Sequence, residues 1–479
     1  MQLSNLKIAF VSLQKDAERV PPTSLIYLAT YLREKINLPK ENIKIIDKNY
    51  HDVKKEIENF NPSILAITAM TVLYQEAINL ASEIKKSTNI PILIGGVHTS
   101  SLPESLKKCF DVGLIGEGEE TLKELIDLYL KKERFDNEDL KKIKSIVYHE
   151  NNQIKRTPLR NPLNLDSLPI PDFTFAHEGY FIKKEIAGIS GVGVKCFLLS
   201  SRGCPYRCVF CSTSRFWGKM RFHSPEFIAK TVEKAIEDHN ADYIQVHDDL
   251  FAINTERLIS IRREFEKRGI LEKIKGIEVA GRANLITDEL CEEMKSLKVR
   301  VVNFGFESGS ERVLDYLKGG SVTVEMNKNA IKSCRKYGFN VYGSLMYGSP
   351  SETIEDMKKT NEFIDFCLEE GVSYVWSFVS TPFPATPFWD IALERNKVSP
   401  NMNFSLLGHH NIKKPLLLDP EIPTELFARV FLKGRRKLRL FKLNLLKKFI
   451  LKHPTRTVIM IIKEPKYYLG RVFRQLINQ

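Results

Sequence analysis

The chain has 479 residues, 43% hydrophobic and 27% charged, the balance of a globular protein with two or three domains and at least one large core. Eight cysteines over that length exclude a disulfide scaffold and point to a reduced, intracellular protein. The net charge of +13 resides in residues 431–479, which hold fourteen Lys and Arg against one acid, Glu464; residues 1–430 therefore balance, and a nucleic-acid surface over the whole protein is not expected.

The first residues run directly into strand-like Ile8-Ala9-Phe10-Val11, with no signal-peptide apolar region. No run of 18 apolar residues is available for a spanning helix. Strand patterns follow at Ile43–Ile46, Ile64–Ala69, Pro91–Gly95 and Asp111–Ile115, and amphipathic helical patterns at Ser24–Arg33, Tyr74–Lys86 and Glu119–Lys131. Alternating β and α with near-continuous apolar strands predicts a doubly wound parallel sheet over residues 1–140. Ligands of such sheets sit beyond the carboxyl ends of the strands. The small-residue loops there are Thr68-Ala-Met-Thr71, Gly95-Gly96-Val-His98 and Gly116-Glu117-Gly118-Glu119.

Residues 141–190 read as a linker: a hairpin-like Ile146–Arg156, then the extended Leu165-Asp-Ser-Leu-Pro-Ile-Pro-Asp-Phe173. From 191 to 400 the alternation resumes. Strands are expected at Phe197–Ser200, Tyr243–His247, Gly276–Ala280, Val299–Phe306, Asn340–Tyr347 and Tyr374–Val379, each followed by a helix. Residues 401–479 form a basic, mostly helical extension. Arg435 to Lys452 is basic and apolar at helical spacing, and Pro454 ends it. Such a helix can lie in an anionic membrane interface, or pack against the barrel with its lysines solvated; sparse aromatics make RNA the lesser option.

After the first strand of the second half comes Ser-Arg-Gly-Cys204-Pro-Tyr-Arg-Cys208-Val-Phe-Cys211. Three thiolates at C-x3-C-x2-C spacing can wrap one face of a cubane iron–sulfur cluster and leave one iron open. A structural zinc site needs a fourth ligand, usually from a second pair, and Cys291 and Cys334 have no such pairing. Gly203 and Pro205 argue for a loop rather than one helical face.

This spacing resembles the radical S-adenosylmethionine (SAM) superfamily, and the run Phe216 to Glu226 resembles its lead into the next helix. The N-terminal part, through Pro21–Ala29, Gly95–His98 and Gly116–Glu119, resembles the cobalamin-binding domain fused to many of these enzymes. The likeness covers roughly residues 5–390. It is to the group with anaerobic Mg-protoporphyrin ester cyclases, hopanoid methylases and archaeal lipid-ring synthases.

The resemblance implies a partial (β/α)6 barrel, a [4Fe–4S] cluster on Cys204, Cys208 and Cys211, and SAM on the open iron, cleaved to a 5′-deoxyadenosyl radical. It implies SAM contacts at strand ends: Asp248 and Asp249 for the amino group, Arg282 for the carboxylate, Glu307 and Ser308 for the ribose side, Tyr347 and Gly348 for the adenine side. An Asp pair capping the helix from Thr255, and a solvated Arg282, are the plain alternatives. Thr381 to Pro387 resembles a further motif, with Ala385 in place of glycine. For cobalamin the implied residues are Thr68, Thr71, Gly95, Gly96, His98, Gly116, Glu117 and Gly118. The D-x-H-x-x-G pattern that supplies a lower axial histidine is absent, so His98 is expected to be a backbone-bonded loop histidine rather than a cobalt ligand.

Methyl transfer to an unactivated carbon ranks first among the implied reactions. Ring or C–C bond formation on a lipid or tetrapyrrole ranks second, and a non-enzymatic cobalamin or redox sensor third. The implied partners are a small-molecule or lipid substrate and a low-potential flavodoxin- or ferredoxin-type donor, in an anaerobic cytoplasm. Peripheral attachment to the inner face of the membrane through residues 431–479 is a further expectation.

Overall fold

Strands β1 (Ile8–Ser12), β2 (Ile43–Asp47), β3 (Ile64–Thr68), β4 (Ile92–Gly95) and β5 (Val112–Leu114) lie in the order β2-β1-β3-β4-β5, all parallel. They occur in a computed structural model that describes residues 1–15, 20–186, 191–408, 415–418 and 421–452. All five residues of β1 are buried, four of them apolar, because helices cover both faces of a doubly wound sheet; the polar Ser12 comes at its carboxyl end. The order reverses between β1 and β3, which opens a crevice at their carboxyl ends.

The hairpin at 146–156 corrects the linker boundary. Its strands β6 (Ile146–Glu150) and β7 (Gln153–Arg156) extend this sheet antiparallel beyond β5, with Val112 opposite Tyr148 and Leu114 opposite Ile146. They cover the edge that β5 would otherwise expose. The connector then adds a short antiparallel pair, β8 (Lys184–Glu185) and β9 (Val192–Gly193).

The chain divides into two compact units, Met1–Val302 with Thr381–Gly408, and Asn303–Ser380 with the residues after 408. In the first, β10 (Lys195–Leu198), β13 (Tyr243–Val246) and β14 (Gly276–Gly281) pair in parallel. Between them the two-residue strands β11 (Ser201–Arg202) and β12 (Arg221–Phe222) pair antiparallel and clasp the loop that carries the three cysteines. The second unit takes the carboxyl half of β15 (Val299–Glu307), from Asn303 on, followed in sheet order by β16 (Asn340–Tyr347) and β17 (Tyr374–Val379). All six strands expected in the second half form, and each is followed by helix.

The C-terminal helix, Thr424–Lys452, packs in the second unit through Phe427, Val430, Phe431, Gly434 and Leu438, one face at helical spacing. Phe431 meets the Tyr347 ring edge-on at 5.1 Å. Gly434 is required, since a Cβ there would stand 2.2 Å from Asn361 Oδ1. The Asn361 amide donates to the Val430 carbonyl at 3.0 Å and accepts the Tyr347 hydroxyl at 2.9 Å. Of the two readings of the basic helix, packing holds for this part of it. Leu432, Lys433, Arg436, Arg439 and Leu440 remain exposed on the other side. Pro454 and Glu464 lie outside the described residues.

Asn361→Ala leaves the Tyr347 hydroxyl buried without its acceptor, at about 1–3 kcal/mol, and removes the second hydrogen bond to the Val430 carbonyl, which keeps its helical one. We expect a lower urea midpoint and faster amide exchange over residues 424–443. Unchanged exchange there would show that the helix docks through its apolar face alone.

Candidate active site

Three strand-end loops of the N-terminal sheet are laced together. The Ala69 amide donates to the Gly95 carbonyl at 3.0 Å, and the His98 amide to the Ala69 carbonyl at 3.3 Å. Ser100 Oγ donates to the Gly96 carbonyl and accepts the Gly116 amide, each at 2.9 Å. Gly96 has φ +97°, and a Cβ there would meet Ala69 O and Thr68 Oγ1 at 2.8 Å. The glycine is thus imposed by the neighbouring loop. Gly95 has only the Leu114 Cβ, at 3.9 Å, and tolerates a side chain. Gly116 has φ +75° and opens onto empty space.

These loops wall a cavity of about 500 Å³ at the β1/β3 crevice. Thr68, Gly95, Gly96, Gly116, Glu117 and Gly118 line it, with Met70, Leu73 and Leu28. The opposite wall comes from the second half of the chain: Leu199, Ser201, Arg202, Ser212, Thr213, Phe216, Trp217, His247 and Asp249. A larger, open hollow of about 860 Å³ around Asn89, Asp111 and His149 contains none of the expected site residues.

Two expected cobalamin residues do not reach the cavity. Thr71 is buried in the turn after β3. His98 is fully buried, its ring tilted against Tyr74 at 3.9 Å and edge-on to Phe404 at 4.5 Å, with Nε2 3.0 Å from Ser105 Oγ. Burial pushes its pKa down to about 3, so it stays neutral. Its partner is a serine hydroxyl rather than backbone, but the expectation that it is not a cobalt ligand agrees with this position.

Glu117 lines the cavity yet spends its carboxylate elsewhere. Arg202 Nη1 donates to Oε1 at 2.5 Å, Arg221 Nη1 to Oε2 at 3.1 Å, and the Leu163 amide to Oε2 at 2.9 Å. Arg202 Nη2 donates to Glu119 at 2.6 Å, and both partners are buried. Burial acts to raise the Glu117 pKa, but the Arg202 charge, the Leu163 amide and Arg221 outweigh it and hold the carboxyl below its ordinary value. Arg202 and Arg221 face each other across the β11–β12 clasp, so this cluster ties the cysteine loop to the turn after β5. The sequence reading missed Arg202, Arg221 and Glu119. Their only signal was an arginine two residues before Cys204 and the repeated acid in Gly-Glu-Gly-Glu.

Inside the clasp, Gly203 turns with φ +97° close to Trp217 and Met220. Cys208 is buried; Cys204 and Cys211 are partly exposed, and all three are free thiols. Burial pushes the Cys204 and Cys211 thiols up, and their thiolates therefore call for a cation. Arg282 Nη1 lies 3.5 Å from Cys208 Sγ, its guanidinium 3.7 Å over the Tyr206 ring. Among the described residues no three Cys, His, Asp or Glu side chains close on one point, as a mononuclear zinc site requires. A cubane asks each thiolate to reach a different iron, and three thiols on one loop beside a buried guanidinium suit that.

The adjacent aspartates separate. Asp248 accepts from the amides of Ser200 and Ser201 at 2.6 and 3.1 Å and from their hydroxyls at 2.5 and 2.7 Å. Those four bonds fill a carboxylate, so Asp248 holds the β10–β11 junction and is unavailable to an ammonium. Nor does it cap the next helix, where Asn254 accepts the Arg257 amide at 2.9 Å. Asp249 is exposed in the cavity, with Thr213 Oγ1 at 3.1 Å.

In the second unit Glu307 ends β15 with φ +64°, 3.8 Å from Lys318 Nζ, a backbone conformation that costs free energy in a non-glycine residue and often marks a functional position. The other expected SAM residues there are structural. Ser308 is fully buried, 3.1 Å from Thr360 Oγ1 and accepting the Ser310 amide. Tyr347 faces the C-terminal helix, and Gly348, at φ +83°, would press a Cβ on Leu417 and Phe427 at 3.1 Å. The Gly348 and Ser349 amides donate to the buried Glu352 at 2.5 and 3.0 Å.

Residues 198–364 match the radical SAM superfamily model and residues 12–126 the B12 binding domain model. An uncharacterized methyltransferase of Pyrococcus horikoshii is 31% identical over 85% of this chain and 84% of its own length. The chain belongs to the B12-binding radical SAM family. It is similar to the bacteriochlorophyllide d C-8(2)-methyltransferase of Chlorobaculum tepidum, 24% identical over 76% of this chain and 75% of that protein. The anaerobic magnesium-protoporphyrin IX monomethyl ester cyclase of Cereibacter sphaeroides is 25% identical over 71% of this chain and 55% of its own length. Among solved structures, the radical SAM methyltransferase TsrM of Kitasatospora setae has the same fold, with TM-score 0.65, 18% identity, and coverage of 88% of this chain and 81% of its own. As a radical SAM protein with an intact cysteine triad, the chain is an enzyme rather than a sensor.

Two predictions follow from the buried charges. Arg202→Met leaves Glu119 buried without its cation and Glu117 with Arg221 alone, and should cost about 3–5 kcal/mol in urea unfolding. Adding Glu117→Gln and Glu119→Gln should recover more than half; no recovery would mean that Arg202 acts by packing alone. Glu352 behaves in the opposite sense to Glu117, since burial pushes its pKa up to about 8. Between pH 4.5 and 8 the native state then binds more protons than the unfolded chain, so this carboxyl makes stability fall as pH rises. Glu352→Gln should flatten that fall, as read from melting temperatures across the range; an unchanged slope would assign it to another group.

Proposed function

We propose that this protein is a cobalamin-dependent radical SAM methyltransferase that alkylates an unactivated carbon. The observation that carries the reading is the single cavity walled on one side by the B12-domain loops and on the other by the clasp of the cysteine loop. When bound, the cluster with SAM supplies hydrogen abstraction and cobalamin supplies a methyl donor; the protein's share is binding, orientation and exclusion of water.

Cys204, Cys208 and Cys211 hold the [4Fe–4S] cluster, with the Arg282 guanidinium beside Cys208 offsetting thiolate charge. Asp249 offers its carboxylate to the SAM ammonium from the cavity wall. Thr68, Gly95, Gly96, Gly116 and Gly118 form the cobalamin cradle, and Met70, Leu73, Phe216 and Trp217 keep water from it. A low-potential flavodoxin- or ferredoxin-type protein supplies the electron. The named relatives support methyl transfer first; the ester cyclase supports ring formation as the second reading.

The exposed side of the C-terminal helix, with Lys433, Arg436 and Arg439 flanked by Leu432 and Leu440, supports peripheral attachment to an anionic membrane. No helix among the described residues is long and apolar enough to cross one.

Anaerobically reconstituted protein should bind one [4Fe–4S] cluster and form 5′-deoxyadenosine from SAM under a strong reductant. Replacing any of Cys204, Cys208 or Cys211 by alanine should abolish both, while Cys109→Ala, Cys291→Ala and Cys334→Ala should not. A triad variant that still cleaves SAM would contradict the assignment.

A further inference from the structure

We propose that Tyr27 is a cobalamin-positioning residue, its hydroxyl donating to the carbonyl of a carboxamide on the corrin rim. This deepens the reading above and rests on cobalamin filling the cavity.

Tyr27 lies on the helix Thr23–Ile36, which follows β1, and lines the cavity with Ser24 and Leu28 of the same helix. Its side chain is 4% exposed, and its hydroxyl is buried with no hydrogen-bond partner among the described residues. Buried polar groups are paired almost without exception, because an unpaired one has given up water and gained nothing. Ser201, Arg202 and Glu119, buried in the walls of the same cavity, are all paired.

The Tyr27 ring is not free to turn toward a partner. It belongs to a core cluster with Tyr31, Leu163, Leu165 and Leu168, and the Arg202 guanidinium stands 5.8 Å from its centroid. Arg202 cannot accept the phenol proton, since a guanidinium only donates, and its fork is given to Glu117 and Glu119. Burial outweighs the Arg202 charge and keeps the phenol protonated. The result is a neutral donor held in place without an acceptor.

The surrounding wall indicates which ligand supplies that acceptor. A Cβ on Gly118, in the proposed cradle, would stand 3.3 Å from the Leu28 side chain, so the helix and the cradle form one surface. Residues 12–126, which include Tyr27, match the B12 binding domain. Asp249, offered to SAM, comes from the opposite wall. A corrin carries carboxamide side chains around its rim, and their carbonyls are neutral acceptors suited to a neutral donor. A donor fixed before the ligand arrives adds affinity with no ordering cost of its own.

The test is titration of the full-length protein, carrying its reconstituted cluster, with hydroxocobalamin, followed by absorbance. Tyr27→Phe should bind about five- to tenfold more weakly. The melting temperature of the unloaded variant should stay or rise, because the change removes an unpaired hydroxyl. SAM affinity, read by calorimetry, should not change. Tyr31→Phe, in the same cluster but off the cavity, should bind hydroxocobalamin as the unaltered protein does. Cobinamide, which keeps rim carboxamides and lacks the nucleotide loop, should show the same weakening in Tyr27→Phe. Affinity of Tyr27→Phe within about twofold of the unaltered protein would overturn the proposal. So would equal weakening by Tyr31→Phe, which would make the effect one of packing. A lower melting temperature for unloaded Tyr27→Phe would assign the hydroxyl to an ordered water and overturn it too. Weakened SAM binding, or an effect lost with cobinamide, would do the same by assigning the hydroxyl to SAM or to the nucleotide. If the unaltered protein fails to bind hydroxocobalamin, the cobalamin reading itself falls, and this proposal with it.

Discussion

Arg202 sits two residues before the first cysteine of the triad and donates to two carboxylates on the turn after β5. The cavity depends on this contact. The cysteine loop is a long excursion closed by only two residue pairs, Ser201 with Phe222 and Arg202 with Arg221, and so short a ladder would not fix its position alone. Buried ion pairs are poor sources of net stability, because desolvation offsets most of their attraction. They are good at registration: a guanidinium fork donating to two carboxylates tolerates little displacement. The cluster therefore sets where the cysteine loop stands relative to the strand-end loops across the cavity.

A second constraint operates at the other end of the chain. β17 is the last strand of its group and presents an edge. The C-terminal helix packs chiefly on the helix Ile354–Glu369, and its position is keyed there by Gly434 against Asn361. The sequence motif Tyr347-Gly348 is consumed by this docking, which is why two residues expected at a cofactor lie under a helix instead. The first turns of the basic helix are thus packed into the unit through Phe427, Val430, Phe431 and Leu438.

The N-terminal parallel sheet was legible because strands covered on both faces must be apolar along most of their length; β16 and β17 instead alternate buried and half-exposed residues, a period of two that also survives without knowledge of neighbours. The three cysteines were legible as a group because they are local in sequence, and the structure sets them on one loop inside the β11–β12 clasp. What failed were statements about long-range partners. Asp248 stands at a strand end as expected, but serines 47 and 48 residues upstream fill its acceptors. Glu117 was read as a cofactor residue because nothing nearby predicted an arginine 85 positions away. Tyr347 could have been read better: strand alternation puts it on the same face as Val341, Gly343 and Leu345, the buried one. His98 lies next to Val97, the last residue of its loop in the cavity wall, and the short helix Val97–Ser101 turns it into the core.

The central claim is that the iron–sulfur cluster and cobalamin face one shared cavity, held together by the Arg202 cluster. The most direct measurement is electron paramagnetic resonance of the protein loaded with both, the cluster reduced and the cobalt in its paramagnetic Co(II) form. The account predicts a magnetic interaction between the two centres, seen as splitting or broadening absent when either is loaded alone. A spectrum that is the plain sum of two isolated centres would contradict it.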